Sequence, residues 1–273
     1  MRMLKKSIIF LLLLPALCFV LNLSAFTVAS PKMYDVNDQY GNAITIEVDI
    51  QESEGIARFA ISGTSRQASV IVSSEKGIYT YKTASDVPLT IPLNMGSHTY
   101  TFSVYLHVYD TWFEEIWTRD YSIDVENSLA PFLSSSQMIN WSPGMSFVNT
   151  AKELTANKAS KDAALSICSY ISNHFTYVTP SDLTWYVPDL EKVYAQKSGT
   201  CYDFAALFAG MCRSAGIPCK MEFGYSQYVE AWKYHAWCSV YIDGAWHVVD
   251  PTYSLEYGSA FLDPAKISVE LVY

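Results

Sequence analysis

The chain has 273 residues, half of them hydrophobic and 16% charged, which is apolar enough to bury a core and too sparsely charged for a disordered chain. That length leaves room for one large domain or two small ones. With 27 acidic against 18 basic residues the formal charge is −9, a balance that repels phosphate backbones and speaks against nucleic acid as a partner.

Residues 1–29 read as a secretory signal peptide. Arg2, Lys5 and Lys6 precede an apolar run from Ile8 to Val20, and small residues follow at Thr27-Val28-Ala29. The alternative is an uncleaved N-terminal membrane anchor, because apolar character continues through Leu21, Leu23 and Phe26. Cys18 follows Leu17, a poor residue for lipoprotein processing. Cleavage would remove three of the 18 basic residues and none of the 27 acidic ones, taking the formal charge from −9 to −12. The expected location is secreted or cell-surface, where disulfides are permitted. Five cysteines follow the signal, Cys168, Cys201, Cys212, Cys219 and Cys238, and an odd number leaves at least one thiol over. Two bridges plus one working thiol fit this count, as do five reduced cysteines. Cys212 and Cys219 are as readily small buried apolar residues.

Residues 30–127 are expected to form a β-sandwich of immunoglobulin-like architecture. From Ala43 to Val125 the pattern has period two, with strands over Ala43 to Ile50, Ala68 to Val72, Ile78 to Lys82 and Ser97 to Tyr109, punctuated by glycines. In the last of these Tyr100, Phe102, Val104, Leu106 and Val108 form an inward face. Tyr105, His107 and Tyr109 lie on the other face, which suits either a second packed surface, the preferred reading, or a sugar or protein partner. His98 and His107 lack metal-ligand spacing.

Residues 128–148 read as a linker rich in serine and proline, and 149–273 as an α+β domain, with helices over Asn149 to Leu154 and Ser160 to His174. In the second helix Ser160 can cap, and Ala164, Ile167, Cys168 and Ile171 recur at helical spacing. A further helix runs from Cys201 to Ala215, with Thr200 as N-cap and Gly216 and Pro218 as stop. Cys201 therefore opens a helix, where unpaired main-chain N–H groups and the positive end of the dipole favour a thiolate and offer a donor to a developing oxyanion. Asp243-Gly244 reads as a two-residue hairpin turn. Ile242 then faces Ala245, Tyr241 faces Trp246 and Trp237 faces Asp250. This register makes His235 and Asp250 diagonal neighbours on one face, about 7–8 Å apart at the backbone. His247 falls on the other face. His235 can take the Cys201 proton, and Asp250 can hold the second imidazole N–H and stabilise its cationic form.

At these residues the chain resembles the transglutaminase-like superfamily, whose active sites are built like that of papain. The matching features are Gly199-Thr200-Cys201-Tyr202-Asp203-Phe204-Ala205, Arg213-Ser214-Ala215-Gly216-Ile217-Pro218, His235-Ala236-Trp237 and Val249-Asp250-Pro251-Thr252. The resemblance covers about Ala151 to Thr252 and leaves the β-rich half outside it. It implies Cys201 as nucleophile, His235 as general base and acid, and Asp250 as orienting carboxylate. Gln196 and Trp185 are the candidates for a second oxyanion donor.

The chemistry so implied is attack of a thiolate on an amide carbonyl to give a thioester. The first expectation is an exported bacterial-type cysteine peptidase or amidase acting on protein or cell-wall peptide, with no cofactor and no metal. A crosslinking protein-glutamine gamma-glutamyltransferase is the enzymatic alternative. A non-catalytic surface-binding protein on a transglutaminase-like scaffold is the third reading, with a cell-surface or cell-wall partner held by the β-sandwich.

Overall fold

The computed structural model describes residues 30–179, 186–228, 231–258, 260–261 and 263–273. The expected signal segment 1–29 and Trp185 lie outside these residues. The architecture is α+β, with β-sheets first and helices mixed with strands afterwards.

Eight strands come first: β1 (Lys32–Asn37), β2 (Ala43–Gln51), β3 (Ile56–Ser62), β4 (Ala68–Ser74), β5 (Gly77–Thr83), β6 (Leu89–Pro92), β7 (His98–Tyr109) and β8 (Trp112–Ile123). They form two four-stranded sheets, ordered β1-β2-β3-β6 and β5-β4-β7-β8. Alternation decides which side chains meet between the sheets. Ile44, Ile46 and Val48 of β2 and Phe59 of β3 join Val70, Val72, Phe102 and Val104 of the other sheet in one apolar cluster. Phe59 and Phe102 touch across it with ring centroids 5.1 Å apart. The expected inward face of β7 is fully buried from Tyr100 to Leu106, and Val108 is half-buried. On its other face Tyr105 and His107 are half-buried and Tyr109 is exposed.

The stretch expected to be a linker is packed. Ala130–Phe132 form a buried 3-10 turn, and Ile139 is fully buried in the second apolar cluster. The helices that follow are α1 (Ser146–Thr155), α2 (Ser160–His174), α3 (Leu190–Gln196), α4 (Cys201–Ser214) and α5 (Pro251–Tyr257). Helix α2 has the expected bounds, but its N-cap is Ala159 with no side-chain cap, so Ser160 already lies inside the helix. Strands β9 (Thr176–Tyr177) and β10 (Ser198–Gly199) pair in parallel. The main sheet of this half is ordered β13-β12-β11-β14, from β11 (Cys219–Tyr228), β12 (Ala231–Ile242), β13 (Ala245–Val249) and β14 (Ile267–Val272). Buried residues of α4 and of β11 and β12 share the second cluster. All five described cysteines are buried and none is in a disulfide. Among the described residues no helix is long and apolar enough to cross a membrane.

Candidate active site

Cys201 is held by the way α4 begins. Strand β10 is pinned against β9, with Val178 N–H donating to Gly199 O at 2.9 Å. Thr200 then caps the helix in a capping box: Thr200 N–H donates to Asp203 Oδ2 at 2.7 Å, and Asp203 N–H donates to Thr200 Oγ1 at 3.5 Å. A side chain at Gly199 would collide with this box, because its Cβ would lie 2.6 Å from Asp203 Cβ. Cys201 is thus the first helical residue, and its side chain is buried. Among the described residues the N–H groups of Cys201 and Tyr202 make no hydrogen bond, as the first turn of a helix dictates.

His235 comes from β12 and Asp250 from the end of β13. The hairpin between them has Asp243 at φ 51° and Gly244 at φ 87°, the left-handed pair that a two-residue turn requires. The register is the one that turn dictates, with Ile242 opposite Ala245 and Tyr241 opposite Trp246. His235 Nε2–H donates to Asp250 Oδ2 at 2.8 Å. Cys201 acts on the same imidazole closely enough to contribute to its pKa. Asp250 is fully buried and is itself fixed as the N-cap of α5, its Oδ1 accepting from Thr252 N–H at 2.9 Å and Tyr253 N–H at 3.0 Å. His247 is exposed on the outer part of β13, with its ring 6.1 Å from that of Phe261.

Burial alone pushes the His235 imidazole down. The charge and hydrogen bond of Asp250, with a further contribution from Cys201, outweigh it and raise the pKa to about 9. The His235 side chain is therefore an imidazolium at neutral pH.

Four further side chains, Trp237, Glu222, Ser239 and Tyr186, support the site. The Trp237 ring stacks on His235 at 6.3 Å and 24°. Its Nε1–H donates at 2.8 Å to Glu222 Oε2, which also accepts from Ser239 Oγ at 2.9 Å. Burial raises the pKa of Glu222. The period-two spacing from His235 to Trp237 and Ser239 is the signal that places these side chains together. Tyr186 OH donates at 2.6 Å to Asp203 Oδ1 in the first turn of α4, a contact with no local sequence signature. Of the two oxyanion candidates, Gln196 ends α3 with an exposed side chain that makes no hydrogen bond among the described residues. Trp185 is not described.

Comparison with known proteins places these residues in a wider group. The family model described as transglutaminase-like superfamily matches residues 148–251. Two curated relatives, the kyphoscoliosis peptidases of Homo sapiens and Mus musculus, are 31% and 36% identical over 115 and 81 residues. Those stretches cover 39% and 27% of this chain and only 16% and 12% of the relatives. A solved structure of a candidate cysteine protease from Cytophaga hutchinsonii is 19% identical, with a TM-score of 0.43 over 78% of this chain and 77% of that one. Over residues 148–251 the chain thus matches the transglutaminase-like superfamily, whose members are typically cysteine-dependent enzymes.

Proposed function

We propose that the protein is an exported thiol-dependent acyl-transfer enzyme, a cysteine peptidase or amidase acting on protein or cell-wall peptide. The observation that carries this reading is the His235 imidazole, which donates to the buried Asp250 and whose pKa Cys201 helps to raise. Cys201 Sγ attacks the amide carbonyl carbon, and the oxygen gains its charge beside the unpaired N–H groups that open α4. The His235 imidazolium gives its proton to the leaving nitrogen, the C–N bond breaks and a thioester remains. Neutral His235 then deprotonates water, which attacks the thioester and frees the acid and the thiol. Asp250 keeps the ring oriented throughout. The name peptidase carried by the curated relatives favours water over an amine as acceptor.

The remaining assignments belong to the same proposal. A cleaved signal over 1–29 accounts for export to the cell surface or beyond. Residues 30–127 form an immunoglobulin-like domain and 149–273 the catalytic domain, joined by 128–148. The strand order supports the first of these. With β1 set aside, β2, β3 and β6 take the places of strands A, B and E, and β5, β4, β7 and β8 those of C′, C, F and G.

Thiol reactivity tests the enzyme reading. Cys201 should be alkylated by iodoacetamide faster than a model thiol near neutral pH, and Cys201→Ala should remove that reaction and all hydrolysis of a peptide library. An unreactive Cys201 would favour the inert scaffold. Incorporation of a labelled primary amine into glutamine peptides, lost in Cys201→Ala, would replace hydrolysis by crosslinking.

A further inference from the structure

Strand β5 is an edge strand, first in the order β5-β4-β7-β8. It buries Tyr79 and Tyr81 in the core and turns Ile78, Thr80 and Lys82 outward. Main-chain polar groups of an antiparallel strand alternate with the same period: one residue directs its N–H and C=O to one neighbour, and the next directs them to the other. Lys82 sets the phase. Its N–H donates to Gln137 Oε1 at 3.2 Å, and its carbonyl accepts from Gln137 Nε2. A side-chain amide thus already pairs with this edge in the manner of a neighbouring strand. By the same alternation the N–H and C=O of Ile78 and Thr80 point away from β4, and among the described residues neither makes a hydrogen bond there.

These three residues wall a cleft of about 310 Å³ that spans the two halves of the molecule. Its other wall includes Tyr186, Tyr202 and Tyr234. Tyr202 follows Cys201 in the chain, Tyr234 precedes His235, and Tyr186 is bonded to Asp203 in the first turn of α4. Cys201 and His235 are not lining residues themselves; their chain neighbours Tyr202 and Tyr234 are.

We propose that this cleft takes the substrate as an added β-strand: an extended peptide pairs its main chain with the outward edge of β5 at Ile78 and Thr80 and lays alternate apolar or aromatic side chains on the tyrosine wall. The inference rests on the peptidase reading above and adds the substrate's conformation and its side-chain class. Unpaired edges accept a strand through main-chain hydrogen bonds, with alternate side chains read by pockets. The β-rich half then contributes directly to the active cleft, and bulky globular segments that cannot extend are rejected.

The test uses the full chain carrying Cys201→Ala and dye-labelled peptides of about ten residues, the upper end of ordinary strand length, with Phe, Tyr or Leu at alternate positions. Binding is read by fluorescence anisotropy. Thr80→Pro removes only an outward N–H and leaves the β4 ladder intact, so the fold survives, as a melting curve would verify. It should weaken binding about tenfold, the loss expected for one or two main-chain hydrogen bonds, whereas Thr80→Ala should bind like its parent. Methylating alternate amides of the peptide should weaken binding as much with β5 untouched, which decides the matter even should Thr80→Pro misfold. No binding by the parent, an equal loss in Thr80→Ala, or indifference to N-methylation would overturn the added strand. Failure of the peptidase reading looks different: peptides would bind in this way while Cys201 in the unaltered protein stayed unreactive.

Discussion

His235 is where burial and charge compete, and the competition can be measured. Its folded value of about 9 lies above the ordinary 6.5, so the native state holds the proton more tightly than the unfolded chain does. The stabilisation this brings is complete below about 6.5 and is lost as pH rises through about 9. In the proposed mechanism the same proton serves the leaving amine, so kcat/KM should fall on the alkaline side near that value. Asp250→Asn removes the charge that outweighs burial, and burial then prevails. An NMR titration of the His235 ring, assigned by comparison with His235→Gln, should find its midpoint near 9 in the parent and below it in Asp250→Asn. A midpoint near 6.5 in the parent, or one unmoved by the substitution, would contradict the ion-pair account. Glu222 belongs to the same scale. Its carboxylate, fixed by Ser239 and buried beneath Trp237, anchors the ring that stacks on His235.

Helix α4 presents Cys201 through its cap, and the cap is short enough to dissect. Thr200→Ala removes the hydroxyl that accepts from Asp203 N–H and should cost about 1 kcal/mol by thermal melting. Gly199→Ala should cost more, about 1–3 kcal/mol, because its Cβ meets Asp203 Cβ at 2.6 Å and one of the two must move. It should also slow alkylation of Cys201 more than Thr200→Ala does, since the displaced residues lead straight into the thiol. Much of this element could be read from the chain itself. Thr200 at one end and Gly216 after the other bound a helix in which the apolar positions face inward, and Asp243-Gly244 read as a two-residue turn, rather than as part of a three-residue loop, sets the hairpin register. Helix α5 carried a signal that passed unread: Asp250 before Pro251 is an N-cap followed by a first-turn proline, a second duty for a residue already assigned to His235. Helix α3 has seven residues, too few for a periodicity to emerge, and its cap by Asp189 is the sole local sign. Contacts such as Tyr186 with Asp203 and Gln137 with Lys82 join residues 17 and 55 positions apart. They follow from tertiary packing, which no local pattern encodes.

At the scale of the whole molecule, Arg213 ties the two apolar clusters together. Its side chain is 2% exposed, and burial lowers its pKa to about 10. Each of its three hydrogen bonds ends on a main-chain oxygen: Nε on Cys219 at 2.9 Å, Nη1 on Ser134 at 2.8 Å and Nη2 on Tyr273 at 2.9 Å. One guanidinium thereby fastens the end of α4, the packed stretch after the first eight strands, and the residue that follows β14. Tyr273 continues the connection, its ring edge-on to Tyr79 at 5.4 Å in one cluster and to Phe223 at 5.7 Å in the other. Asn94 of the first half donates to Val272 O beside it. A substrate cleft shared between the halves needs such a joint, because a wall that drifts by an ångström no longer aligns a peptide with Cys201. Arg213→Met keeps most of the volume and takes a donor from three main-chain oxygens, of which Tyr273 O retains the one from Met221 N–H, at about 1–3 kcal/mol for each oxygen left unsatisfied where water cannot reach it. A total loss of about 3 kcal/mol or more is expected in urea denaturation. Arg213→Lys, whose single ammonium cannot span three acceptors, should recover less than half of it. The loss should also be distributed in a particular way. In the parent, tryptophan fluorescence and far-UV circular dichroism should report one shared transition, since both clusters hang on the same joint. In Arg213→Met the two signals should separate, as each half unfolds by itself. Coincident transitions in the variant, with an unchanged midpoint, would show that the halves are held by apolar contact alone and that Arg213 only fills space.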